Sequence, residues 1–306
     1  MSEMSRSSPP QSGTAADLPA ALASLRAEID AIDDRLHDLL MERARIIERV
    51  AREGGKRGVM IRPGREAAMI RRLLRRHAGR LPPQTILRIW RELFAGALSI
   101  EGDLTVAVAD GTIPELQTVA REHFGPLVPL RRHPSAGQAL ADLTTGAAQA
   151  AVLPMPDGSD DDQSAWWIGL MHGATPRLSI IAKLPFWARR VEGLPHAEAF
   201  VVAPITLDPS DDDRSLLGIE TPADTSRARI AAVLTKAGLS PGPIVSRRAA
   251  DRPEARYAIA DVAGLISPGD PRLGDIGAAF GVAPTVLGGY AVPVQVFSPA
   301  PESGDR

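Results

Sequence analysis

Two arginines carry the first chemical signal. Between Leu22 and Val50 the chain reads LASLRAEIDAIDDRLHDLLMERARIIERV, with apolar residues at Leu22, Leu25, Ile29, Ile32, Leu36, Leu39, Ile46 and Val50. Steps of three and four make this the heptad seam of a helix that packs along another helix. Arg43 stands where the seam calls for an apolar residue. A buried cation is costly unless something anionic meets it. Two readings stay open. The stem packs on the seam while the head finds a nearby glutamate, or the guanidinium points into a bundle core to hold an anionic ligand. Arg26 precedes Arg43 by 17 residues, about 25 Å along an α-helix at ~1.5 Å per residue. One straight helix cannot bring both to one small molecule. If both serve one site, one of them comes from a second copy of the chain.

The elements that must position these groups follow from the flanking sequence. The spacing predicts a helix from near Asp17, with Asp17 as cap and Pro19 in its first turn, ending at Gly54-Gly55. Its length points to a bundle or an intertwined dimer. After a basic loop (Lys56 to Arg62), Pro63 opens a second helix to about His77, with Met69, Ile70, Leu73 and Leu74 as its apolar face. A third opens at Pro82-Pro83 and runs to about Glu101, with a stripe of Ile86, Trp90, Leu93, Ala97 and Ile100.

Composition narrows the classes. A chain of 306 residues suggests two or three domains. A formal charge of −2 argues against a general nucleic-acid or membrane-surface binder. With no cysteine there is no disulfide or thiolate metal site, and a reducing, cytoplasmic setting fits. No histidine pair has metal-ligand spacing, and no run of 18 apolar residues would span a membrane. Residues 1–17 are Ser/Pro-rich without an apolar core and read as a disordered tail, as do residues 297–306.

LRAEIDAIDDRLHDLLMERARIIERV, followed by RPGREAAMIRRLL and RIWRELFAGAL, resembles the all-helical chorismate mutase domain over about residues 18–102. That resemblance implies an intertwined homodimer of three-helix chains that rearranges chorismate to prephenate, with no metal or other cofactor. Carried over by position, Arg43 and the partner's Arg26 match the carboxylate-binding arginines, a role that suits guanidinium forks. Arg65 matches a further substrate-contacting arginine, and Glu66 matches the acid that holds the ring hydroxyl. Several positions depart from the pattern. Gly54 replaces the lysine that donates to the ether oxygen, leaving Lys56 and Arg52 as possible substitutes. Arg62 replaces an aspartate, and Ala97 a serine. Glu101 replaces a glutamine, and a carboxyl donates a hydrogen bond only when protonated. These departures leave an alternative: a catalytically impaired protein that binds chorismate or prephenate as a regulator or partner.

From Asp103 strands alternate with helices, which predicts an α/β region. Strands are expected at 104–109, 150–154, 178–182 and 199–203, helices at 114–124 and 136–145, and a linker at Pro209–Asp213. The acidic DGSDDD at 157–162 has the wrong spacing for a calcium loop. ADGTIPELQTVAREHFG, AAVLPMPDG and EAFVVAP resemble segments of a prephenate dehydratase domain. The position of its catalytic threonine holds Glu198, that of its arginine holds Ala199, and a second lobe is missing between Ala182 and Glu198. One degenerate lobe at 103–213 without dehydratase activity is expected. Residues 214–296 resemble an ACT domain through a β-α-β-β-α-β order and a closing LGGY. The expected fold class is thus a three-helix intertwined-dimer domain, a one-lobe α/β domain and a βαββαβ domain.

Overall fold

A computed structural model describes residues 17–53, 61–158, 164–173, 175–187, 195–249 and 252–294. Gly54, Lys56, most of the basic loop, most of the acidic loop and nearly all of both expected tails lie outside the described residues. The chain divides into two compact units, residues 1–56 and 57–306.

The first unit is helix α1, Asp17–Glu53. No glycine or proline interrupts it after Pro19, so nothing breaks its hydrogen-bond ladder. Its eight seam residues, Leu22 through Val50, are each 44–58% exposed. Arg43 is half-buried and Arg26 exposed.

The second unit opens with α2 (Pro63–Arg76) and α3 (Pro83–Glu101), both started by a proline whose missing N–H costs nothing there. The stripe that α3 buries is Leu87, Arg91, Phe94, Ala95 and Leu98. This corrects the expected Ile86–Trp90–Leu93–Ala97–Ile100 face, which stays half-exposed or, at Ile100, exposed. The helix is apolar on two adjacent faces. Its contacts with α2 and with α4 (Glu115–Phe124) select the face one residue further on.

Strands β1 (Val106–Ala109), β2 (Leu130–His133) and β3 (Ala150–Pro154) are parallel, with α4 and α5 (Ala136–Thr145) as crossovers. Alternation along β1 sends Val106 and Val108 to one core with α4, and Ala107 and Ala109 to another with α5. The short helix α6 (Trp167–Met171) adds Trp167 to the second core. Strands β4 (Ser179–Leu184) and β5 (Ala199–Ala203) pair antiparallel beside β3. Then come β6 (Asp213–Pro222), α7 (Arg227–Lys236), β7 (Pro241–Arg248), β8 (Ala255–Ala263), α8 (Arg272–Phe280) and β9 (Thr285–Ala291). This is the expected β-α-β-β-α-β order, and its strands lie in the sequence β9-β6-β8-β7.

The boundary expected at residue 213 does not divide the sheet. Among the described residues the nine strands form one, β2-β1-β3-β5-β4-β9-β6-β8-β7, joined by the parallel pair Ile180–Gly288. Gly288 has φ +122°, and a Cβ there would lie 2.1 Å from the Ile180 carbonyl oxygen, so only glycine permits the join.

The segment expected as a linker, 209–213, is irregular up to the start of β6 at Asp213 and is closely packed. Ser210 is buried, and the segment grips α2. Arg71 donates to the Ser210 carbonyl (2.7 Å), the Asp212 carbonyl (2.9 Å) and the Val292 carbonyl (2.7 Å). Asp208 accepts from the backbone N–H groups of Gly64 and Arg65, each at 3.0 Å, and so caps α2 from 143 residues away. A Cβ on Gly64 would sit 2.0 Å from the Asp208 carbonyl oxygen. Gly64→Ala should therefore destabilise the chain by about 1–3 kcal/mol through overpacking, although alanine is the better helix former. Gly274→Ala in α8, where the added methyl meets nothing, should stabilise by about 0.5–1 kcal/mol. Calorimetry on the two variants checks the contrast.

Candidate active site

Glu66 lies in the first turn of α2, and Arg91 in the middle of α3. The Arg91 Nη1 donates to Glu66 Oε2 at 2.8 Å, with the side chains 4% and 14% exposed. The Arg91 guanidinium also lies 5.1 Å from the Phe186 ring centroid and 5.6 Å from that of Phe94, within cation–π range. Its Nε has no hydrogen-bond partner among the described residues. Glu66 Oε1 likewise has none, so one carboxylate oxygen is held while the other remains able to accept.

Burial pushes the Glu66 carboxyl above its usual range, and the charges of Asp208 and Glu101 add to the rise. Arg91 opposes it by charge and by hydrogen bond. Burial lowers the Arg91 guanidinium, while Glu66 holds it up. His123 on α4 is driven well below the ordinary histidine range, first by burial and then by the Arg91 charge. The imidazole is therefore neutral near pH 7.

The residues singled out from sequence fall into two sets. Within the second unit, Glu66 and Glu101 are close enough for their charges to interact. Arg65 donates its backbone N–H to Asp208 and has an exposed side chain. Arg62 brings Nε to 3.9 Å from Asp208 Oδ2. Ala97 is half-buried on α3. On the first unit are Arg26, Arg43 and Arg52, the last donating from Nε to the Glu48 carbonyl at 3.3 Å. Lys56 lies outside the described residues.

Arg91 is the residue that the sequence reading missed. Its signal was legible: it interrupts the Leu87–Phe94–Leu98 stripe as Arg43 interrupts the seam of α1. In the α/β region, Glu198 is paired with Lys183 at 2.9 Å. Asp110 at the end of β1 is buried and paired with Arg132 at 2.6 Å.

The chorismate mutase type II family model matches residues 25–102. A bifunctional chorismate mutase/prephenate dehydratase of Stutzerimonas stutzeri is 30% identical over 147 residues, covering 45% of this chain and 40% of the relative. Its counterpart in Pseudomonas aeruginosa is 29% identical over 145 residues, with the same coverage of 45% and 40%. The chain thus spans about two-fifths of the length of these relatives. Among solved structures, a quorum-quenching acylase, GqqA, has a TM-score of 0.47 at 17% identity, covering 62% of this chain and 96% of that one. A prephenate dehydratase from Streptococcus mutans has a TM-score of 0.44 at 15% identity, covering 61% and 97%. Scores of that size assign no activity. Among the described residues, no helix is long and apolar enough to cross a membrane. The helical segment 25–102, followed by an α/β region with a mixed sheet, is a chorismate mutase type II domain.

Proposed function

We propose that the chain is a homodimeric, cytoplasmic chorismate mutase that converts chorismate to prephenate without a cofactor. The observation that carries this is the family match over residues 25–102, a segment that contains Arg26, Arg43, Arg65 and Glu66. Chorismate presents two carboxylates. Arg43 and the partner's Arg26 would each take one by a charge-assisted fork. Glu66, held at Oε2 by Arg91, would accept from the ring hydroxyl at Oε1. The rearrangement is unimolecular, so catalysis consists of holding the compact conformer and placing donors at the breaking ether oxygen. Arg52 and Lys56 are the proposed donors in place of the residue at Gly54. Glu101, when protonated, could add one more.

Homodimer formation has its own support. Eight apolar residues run along one stripe of α1, and each is 44–58% exposed. Such a stripe is the seam of a helix that packs on another. Ile32→Glu should convert the dimer to monomer at micromolar concentration, read by light scattering. A variant that stays dimeric would remove this seam from the interface.

Dehydratase activity is not expected of this chain. Where the resemblance puts a catalytic hydroxyl, Glu198 is instead engaged by Lys183. The alternative, a chorismate- or prephenate-binding regulator, is favoured by Gly54 in the position of the donor lysine. Loss of chorismate absorbance on addition of the purified chain decides between the two. Turnover that Arg43→Ala removes supports the mutase. Chorismate that raises the melting temperature without being consumed supports the regulator.

A further inference from the structure

The family match ends at residue 102. The groups that hold its acid in place do not all lie within it. The core that buries α2 and α3 is half supplied from beyond the match, by Phe186, Trp187, Ala291 and Val294. Asp208, also outside it, accepts the Gly64 and Arg65 N–H groups in the turn that carries Glu66.

Arg91 links that outer support to Glu66. Its Nη1 donates to Glu66 Oε2 at 2.8 Å, and its Nε has no hydrogen-bond partner among the described residues. A single hydrogen bond fixes a distance but leaves the guanidinium plane free to turn about it. Two rings restrict that turn, Phe186 at 5.1 Å and Phe94 at 5.6 Å. Phe94 stands on α3 and moves with Arg91. Phe186 does not: it follows β4 and is fixed independently of α3. Its side of that contact is 5% exposed, its carbonyl accepts the Val294 N–H at 2.9 Å, and Trp187 beside it pairs with Val294. The ring is thus anchored at the end of the sheet, and it meets a guanidinium that is itself 4% exposed. A cation–π contact is strongest when desolvated in this way.

We propose that Phe186 is a positioning residue for the mutase reaction: from outside the mutase segment its ring orients Arg91, which holds Glu66 Oε2 and leaves Oε1 to accept from the ring hydroxyl of the substrate. The role in the reaction rests on the mutase reading; the linkage from Phe186 through Arg91 to Glu66 does not.

The test uses the full chain. Phe186→Leu keeps an apolar side chain and removes the ring. Its kcat should fall about tenfold or more, the scale expected when a group at the reacting molecule is displaced. Its KM should stay within about twofold, because the loss lies in orientation and not in uniform binding. Phe186→Tyr keeps a ring against the guanidinium and should hold the parent kcat. Ile219→Val trims the core that α7 and α8 cover; it controls for lost stability and should also hold the parent kcat. Parent kcat in Phe186→Leu, equal losses in Phe186→Leu and Phe186→Tyr, or a like loss in Ile219→Val overturns the positioning role. The linkage is read without turnover, by carbon NMR titration of the Glu66 carboxyl, identified through its absence in Glu66→Gln. A loosened Arg91 stabilises the carboxylate less. Glu66 should therefore titrate at higher pH in Phe186→Leu than in the parent, and at the parent's pH in Phe186→Tyr. An unmoved titration in Phe186→Leu overturns the linkage. A parent chain without turnover at any pH sinks the mutase reading, and with it the role in the reaction, while the titration still decides the linkage.

Discussion

Replacing Arg91 by methionine should destabilise the second unit by about 3 kcal/mol, the low end of the cost of breaking a buried ion pair from one side. For a unit of this size that corresponds to a fall of about 6–12 °C in melting temperature. The reason is Glu66. It keeps its desolvation but loses the group that offsets it. Methionine fills much of the arginine stem's volume, so packing against Phe94 and Phe186 is largely kept. The double variant Glu66→Gln/Arg91→Met should recover most of the loss, because no uncompensated charge remains.

The pH dependence separates this account from a simple packing defect. The folded Glu66 carboxyl sits above its unfolded value. The native state therefore binds the proton more tightly, and stability falls as pH rises. The contribution is fully present below the unfolded value of about 4.3 and is lost as pH climbs through the folded value. Removing Arg91 takes away the main influence holding Glu66 down, so the fall should become steeper and extend to higher pH. Denaturant unfolding of parent and Arg91→Met at pH 4 and pH 7.5 checks this. The gap between them should be large at pH 7.5 and small at pH 4. Equal gaps would assign the loss to packing instead of charge.

What could be read from the sequence follows periodicity. The seam of α1, the proline starts of α2 and α3, and the apolar strands β1, β3, β4 and β5 were all legible, because each carries a local repeat or a punctuating residue. The edge strand β2 was not. Leu130-Arg131-Arg132-His133 is half-exposed and charged, as edge strands tend to be, and it shows no apolar alternation. The buried face of α3 was misplaced by one residue, because two adjacent faces are apolar and only the neighbours choose between them. The grip of residues 208–212 on α2 and the join of Ile180 to Gly288 link positions more than 100 residues apart. No window of sequence contains such contacts. For the candidate site, Arg26, Arg43, Arg65 and Glu66 are nominated by position through the resemblance, whereas the pairing of Arg91 with Glu66 is visible only when α2 and α3 are seen together.

A mixture of Arg26→Ala and Arg43→Ala chains should regain mutase turnover that neither variant shows alone. Each substitution removes about two charge-assisted hydrogen bonds to a substrate carboxylate. At about 1.5–3 kcal/mol apiece, that is on the order of a thousandfold in rate. On one α1 helix the two arginines lie about 25 Å apart, so a single chain cannot close both onto one molecule of chorismate. In the proposed twofold dimer each site would draw Arg43 from one subunit and Arg26 from its partner. A mixed dimer then holds one site with both substitutions and one site with neither. Random pairing of equal amounts makes half of the dimers mixed, so about one quarter of all sites are intact. Co-refolded variants should therefore show about a quarter of the parent rate, with the parent KM, because the surviving site is unaltered. A site built within one chain would recover nothing on mixing, since every chain in the mixture lacks one of its two arginines. The recovered rate thus tests the two-chain site directly, and the unchanged KM excludes weak residual activity of either variant as its source.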